Sequence, residues 1–159
     1  DRTVLETYIR ANSLDVLNYA DERVNGCIKH CAEALELQYE IEDTIGYMPL
    51  SQSAELNKVI KSNMLDICGE DDIVKNVISG DVGDLGFIIP TVQFGFSGID
   101  GIFHSDSFKI ADKENCYINT VKIICGTIAD LAANQSLRVK RENFEEKKKY
   151  YLNNWLMEK

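Results

Sequence analysis

The chain has 159 residues, 45% hydrophobic, 27% charged and 9% aromatic, which is room for one domain or two small ones. Its formal net charge of −9 and pI near 4.7 argue against a nucleic-acid partner and against an anionic membrane, because both want a basic surface. The apolar runs read as shorter than a membrane span, so no membrane partner is expected, and the opening D-R-T-V-L-E-T-Y is not a signal peptide.

Residues 3–10 are β-branched and aromatic and predict a strand. Asn12, with Asp15 three residues on, reads as the cap of a helix near 13–36. Its stripe is Val16, Ala20, Val24, Cys27/Ile28, Cys31 and Leu35. Leu37, Tyr39, Ile41 and Ile45 share one parity and predict a half-buried strand. A strand–helix–strand unit over 3–45 cannot hide its own edges and needs partner strands. Gly46–Ser51 reads as a linker, followed by a helix near 52–67 closed by Gly69. A short strand is expected at 73–78, and a buried strand at 87–94 interrupted by Pro90. Asp112 can cap a long apolar helix near 113–133, and a more polar helix near 142–157 closes the chain with Phe144, Tyr151, Leu152, Trp155 and Leu156 on one face.

Five cysteines, Cys27, Cys31, Cys68, Cys116 and Cys125, form an odd set placed mostly within apolar patterns. Reduced thiols in a cytoplasmic protein are the expectation. Chemistry-bearing residues are densest in Ser79–Asp112, S-G-D-V-G-D-L-G-F-I-I-P-T-V-Q-F-G-F-S-G-I-D-G-I-F-H-S-D-S-F-K-I-A-D. Acids, glycines, an apolar run and His104 in one span resemble the last wall of a metal-hydrolase site. The only other histidine is His30, so the remaining ligands of such a site are missing from the sequence. The expectation is the C-terminal part of a larger enzyme.

Three segments resemble the M20 family of metal-dependent amidohydrolases and peptidases, closest to the p-aminobenzoyl-glutamate hydrolase B-subunit-like group. They are Y-I-R-A-N-S-L-D at Tyr8–Asp15, S-G-D-V-G-D-L-G-F-I-I-P-T-V-Q at Ser79–Gln93, and H-S-D-S-F-K-I-A-D at His104–Asp112. With G-Y-M-P-L before the second helix, the similarity reaches about Asn134. Gly80 stands where the family usually has a hydroxyl residue, so the bond that side chain makes is lost.

The resemblance implies an α/β fold. Residues 1–50 would be the second half of a ferredoxin-like dimerisation or lid domain. Residues 51–159 would be the C-terminal part of a zinc-exopeptidase-like α/β catalytic domain. It implies hydrolysis of an N-acyl or aminoacyl amide in a small aminobenzoyl-glutamate- or dipeptide-like substrate. Two divalent ions, zinc or manganese, would polarise the carbonyl and activate water beside a glutamate base. It also implies a homodimer through the lid. His104 matches the last metal ligand, and Arg10 matches an arginine that holds the substrate carboxylate. No catalytic residue can be assigned within this chain, which alone is expected to be inactive.

From the residues themselves, Asp81 and Asp84 read either as supports behind a metal ligand or as turn carboxylates. Arg10 reads equally as a surface ion-pair residue. Cys27 and Cys31 in C-I-K-H-C share a helix face but continue its apolar stripe, so core packing outweighs a metal pair. Glu145–Lys149 reads as a solvated helix face. The rival functions are a non-enzymatic dimerisation or interaction module and a degenerate family member that binds without cleaving.

Overall fold

The computed structural model describes residues 2–74, 80–134 and 140–156. Five α-helices are present among them: α1 (Leu14–Ala34), α2 (Ala54–Leu65), α3 (Val82–Ile88), α4 (Thr120–Ala133) and α5 (Phe144–Tyr151). π-Helical turns at Glu114–Asn119 and Leu152–Leu156 precede α4 and extend α5. The only strands among the described residues are β1 (Ile99–Asp100) and β2 (Lys109–Ile110), antiparallel with Ile99 opposite Ile110.

The expected α/β class is therefore overturned: the described residues are mostly helical, with no ferredoxin-like sheet and no zinc-exopeptidase-like α/β sheet. Residues 3–10 and 37–45 have strand composition but take no regular structure. A strand persists only against a neighbouring ladder, and the described residues give these segments none. The expected strand at 87–94 is also replaced. Phe87 and Ile88 end α3, and the rest is irregular. Most of the expected strand at 73–78 lies outside the described residues.

The chain divides into two compact units, Asp1–Ser51 with Ile78–Ile89 and Arg141–Lys159, and Gln52–Val77 with Pro90–Lys140. In the first unit, Ser13 rather than Asn12 caps α1, its hydroxyl accepting the Val16 N–H at 3.4 Å. No residue of α1 is buried. Ala20, Val24 and Ile28 are half-covered, whereas Val16, Cys27, Cys31 and Leu35 face solvent. The unit's small core forms where a linker was expected. Met48 is 1% exposed, and Trp155, also buried, donates from Nε1 to the Gly46 carbonyl at 3.2 Å. Gly83 makes this crossing feasible, because a Cβ there would collide with the Met48 carbonyl. Phe87 of α3 meets Tyr150 of α5 with ring centroids 5.7 Å apart. Phe144 lies within 6 Å of two cations, Arg141 at 5.6 Å and Lys148 at 5.8 Å.

The second unit is built on the packing of α2 against α4. Val59 and Ile60 are buried on α2, Ile123 and Thr127 on α4, and Cys116 on the preceding π-turn. Ser53 caps α2 by accepting the Leu56 N–H at 3.3 Å. Asp112 caps the long helical stretch as expected, accepting from the Asn115 N–H at 3.2 Å and from Asn115 Nδ2 at 2.8 Å. The Thr120 hydroxyl donates back to the Asn115 carbonyl at 3.4 Å, and side chains that compete for helix carbonyls in this way suit a widened turn. The continuous stretch Glu114–Ala133 is long and apolar enough by length and composition to cross a membrane, which the sequence reading missed. Opposite the face on α2, Tyr117, Ile118, Val121, Ile124 and Ile128 are exposed. A helix apolar on both faces belongs in an interior, of a larger body or of a bilayer.

Large apolar side chains stand exposed among the described residues, among them Val4, Leu5, Tyr8, Ile102 and Phe103.

Candidate functional site

His104 lies in the turn joining β1 to β2, in the second unit. Its φ is +62°, an uncommon conformation for a non-glycine residue that marks a locally determined turn. The sequence around it supplies the determinants. The Ile102 N–H donates to Ser107 Oγ at 3.1 Å, and Ser105 Oγ donates to the Ile102 carbonyl at 2.9 Å. The two serine hydroxyls are 2.6 Å apart, and the Ser107 N–H donates to Ser105 Oγ at 3.2 Å. Gly101 has φ +94°, and a Cβ there would strike the Ser107 carbonyl, so the glycine is required. The chain next closes on Gly98, whose carbonyl accepts the N–H groups of Ala111 and Asp112 at 2.9 and 3.0 Å.

The imidazole-bearing residue is thus fixed by its backbone and exposed. It has an apolar lip: Ile102 and Phe103 are largely exposed, and Phe103 leans on Phe108 with centroids 5.2 Å apart. Lys109 and Asp100 form an exposed ion pair across the ladder at 3.7 Å, which adds little.

The other expected site residues lie in the first unit. Arg10 is exposed in an irregular segment, its guanidinium 5.9 Å from the centroid of the Tyr8 ring. Asp81 is exposed and precedes α3 without capping it through its side chain. Asp84 sits inside α3 rather than in a turn. Its Oδ1 accepts the Met48 N–H at 2.8 Å, and its Oδ2 accepts the Tyr151 hydroxyl at 2.9 Å. One carboxylate thereby ties the 48 segment and the C-terminal helix to α3. Partial burial first, and then the Asp84 carboxylate, push the Tyr151 phenol above its ordinary value of 10.0.

The two-ion centre does not fit the described residues of this chain: no three His, Cys, Asp or Glu side chains converge among them. A zinc or manganese site needs three or more such donors. His104 can supply one imidazole, and no hydrolytic step through a metal is derived for this chain.

Two features were not visible in the sequence. The first is an open groove of about 380 Å³ in the second unit, lined by Lys58, Val59, Ser62, Asp130, Ala133 and Asn134. Asn63 Nδ2 beside it donates to Asp130 Oδ2 at 2.8 Å and to the Val59 carbonyl at 3.1 Å. The i, i+4 spacing of Lys58 and Ser62 was legible, but their meeting with Asp130 depends on the packing of α2 on α4. The second is Gln93, whose backbone N–H donates to Gln52 Oε1 at 3.0 Å while its own Oε1 is buried without a partner among the described residues.

Comparison with protein-family models, with curated proteins and with solved structures returned no match.

Proposed function

We propose that this chain is the C-terminal part of a metal-dependent amidohydrolase of the M20 type, completed by polypeptide outside these 159 residues. The observation that carries the reading is His104 on a hydrogen-bonded, glycine-dependent turn with an apolar lip, within the motif order that suggested the family. An exposed histidine on a backbone-fixed turn is what one wall of a shared metal site contributes. The exposed apolar side chains Val4, Leu5, Tyr8, Ile102 and Phe103 suit covering by further polypeptide.

In this reading His104 would be one ligand of a divalent ion whose other donors lie outside the chain. Such an ion would supply Lewis-acid chemistry at an amide carbonyl and a water, with His104 the one residue of this chain that would hold it. Arg10 offers a planar fork to a substrate carboxylate. Asp84 stays with Met48 and Tyr151, so it is not free to orient a metal ligand. The substrate class is a small N-acyl or aminoacyl amide. The five thiols, all unpaired, suit a cytoplasmic protein.

The test is to purify the protein from its natural source, determine its chain mass and divalent metal, and compare H104A. The reading expects a chain well above 18.0 kDa whose amide hydrolysis and metal content both fall in H104A. A metal-free native chain of this size, or H104A with full activity, contradicts it.

A second reading is favoured by the outward apolar stripe of α4 and the turn before it, Tyr117, Val121, Ile124 and Ile128, and by the absence of buried residues on α1. It makes the chain a non-enzymatic module that associates through these faces. A monodisperse monomer in sedimentation at micromolar concentration counts against the module.

A further inference from the structure

Cys27 and Cys31 were expected to pack into a core, yet both are exposed, and the covered side of α1 is formed instead by Ala20, Val24 and Ile28. Four residues apart on a helix, they share one face with Cβ atoms about 5–6 Å apart. Both thiols stand on one exposed face of α1, one turn apart, where a single cation can reach both sulfurs.

We propose that Cys27 and Cys31 form a two-thiolate clamp on α1 for a soft monovalent cation of the Cu(I) type. Soft thiolates select such ions. Zinc asks for four donors, and the described residues bring no third His, Cys, Asp or Glu to the pair. The neighbouring imidazole of His30 is turned to Glu33, with Nδ1 3.2 Å from Oε2. Arg23, one helical turn before Cys27 on the same side, puts positive charge beside the anionic complex. Binding is balanced without oxidation: two thiols and one Cu(I) give a bis-thiolate complex of charge −1 and two protons released to buffer. The inference is independent of the amidohydrolase reading, because it uses no residue of that site.

The test titrates the intact chain with Cu(I), without oxygen and with a non-thiol reductant, against a chromophoric Cu(I) chelator. One ion per chain is expected, with C27S and C31S each weakening it by about a hundredfold or more, as loss of one of two ligands requires. C68S and C125S should leave it unchanged. On the unmutated chain, bound Cu(I) should protect Cys27 and Cys31 from alkylation while Cys125 still reacts, read by peptide mass. Binding by the C27S/C31S double variant equal to the parent's, or alkylation of both thiols at the parent rate with Cu(I) present, overturns the clamp.

Discussion

Replacing Asp84 by alanine tests the organisation of the first unit at one atom pair. The carboxylate accepts two hydrogen bonds, from the Met48 N–H at 2.8 Å and from the Tyr151 hydroxyl at 2.9 Å. Met48 is 1% exposed, so its N–H, stripped of its acceptor, has little access to water. A stranded buried donor costs about 1–3 kcal/mol, and a hydrogen bond to a charged group contributes about 1.5–3 kcal/mol. Tyr151 is only half-buried, so water recovers part of its loss. The expected cost of D84A is therefore about 2–4 kcal/mol, and that of Y151F about 1 kcal/mol. The assay is urea unfolding followed by the fluorescence of Trp155, the only tryptophan, which reports its own unit through the bond to Gly46. The same pair sets a pH signature. The Tyr151 pKa is raised in the folded chain, so its contribution is complete below the ordinary 10.0 and is lost as pH rises through the folded value. Y151F should remove that alkaline loss. A D84A midpoint equal to the parent's would refute the staple and return Asp84 to candidacy as a support for a metal ligand.

G101A should distort the His104 turn, costing about 1 kcal/mol or more and moving the amide resonances of 102–108. I123A, at 7% exposure, should destabilise the α2–α4 packing by about 2–4 kcal/mol. I128S, at 61% exposure, should leave the isolated chain within about 0.5 kcal/mol of the parent while weakening association in the native assembly, measured by denaturation and by sedimentation. Glu70 is held below its ordinary 4.5 by the hydrogen bond from Lys61 at 2.8 Å and then by its charge. That contribution is present above 4.5 and is lost as pH falls through the folded value, and carboxylate NMR of K61A should show the titration returning to the ordinary range.

Helices α1, α2, α4 and α5 were legible because a 3.6-residue period is a local signal, as is the cap at Asp112. The cap of α1 is Ser13 rather than Asn12, and α3 was expected as a turn and a strand. The strands were not legible, because Val4 or Tyr39 becomes strand only beside a ladder that another segment provides. Gly46–Ser51 was read as a linker for its turn residues, yet Met48 is the most buried side chain among the described residues because Gly83, far along the chain, admits its backbone. At the candidate site, the density of glycines and the capping Asp112 were visible in the sequence, whereas the requirement for Gly101 in the turn at His104 follows only from the structure. The engagement of Asp84 with Tyr151, 67 residues away in sequence, was not, and neither was the exposure of Cys27 and Cys31, since an apolar stripe does not say which part of it is covered.

The central claim is that His104 is one wall of a metal site completed by other polypeptide. The most direct measurement is elemental analysis of the natively purified protein beside its H104A variant, with the mass of the chain and of the assembly taken on the same samples. The account predicts a mass well above 18.0 kDa and about two divalent ions per protomer, with at least one lost in H104A. A metal-free species of 18.0 kDa, or a metal content that H104A leaves unchanged, contradicts it.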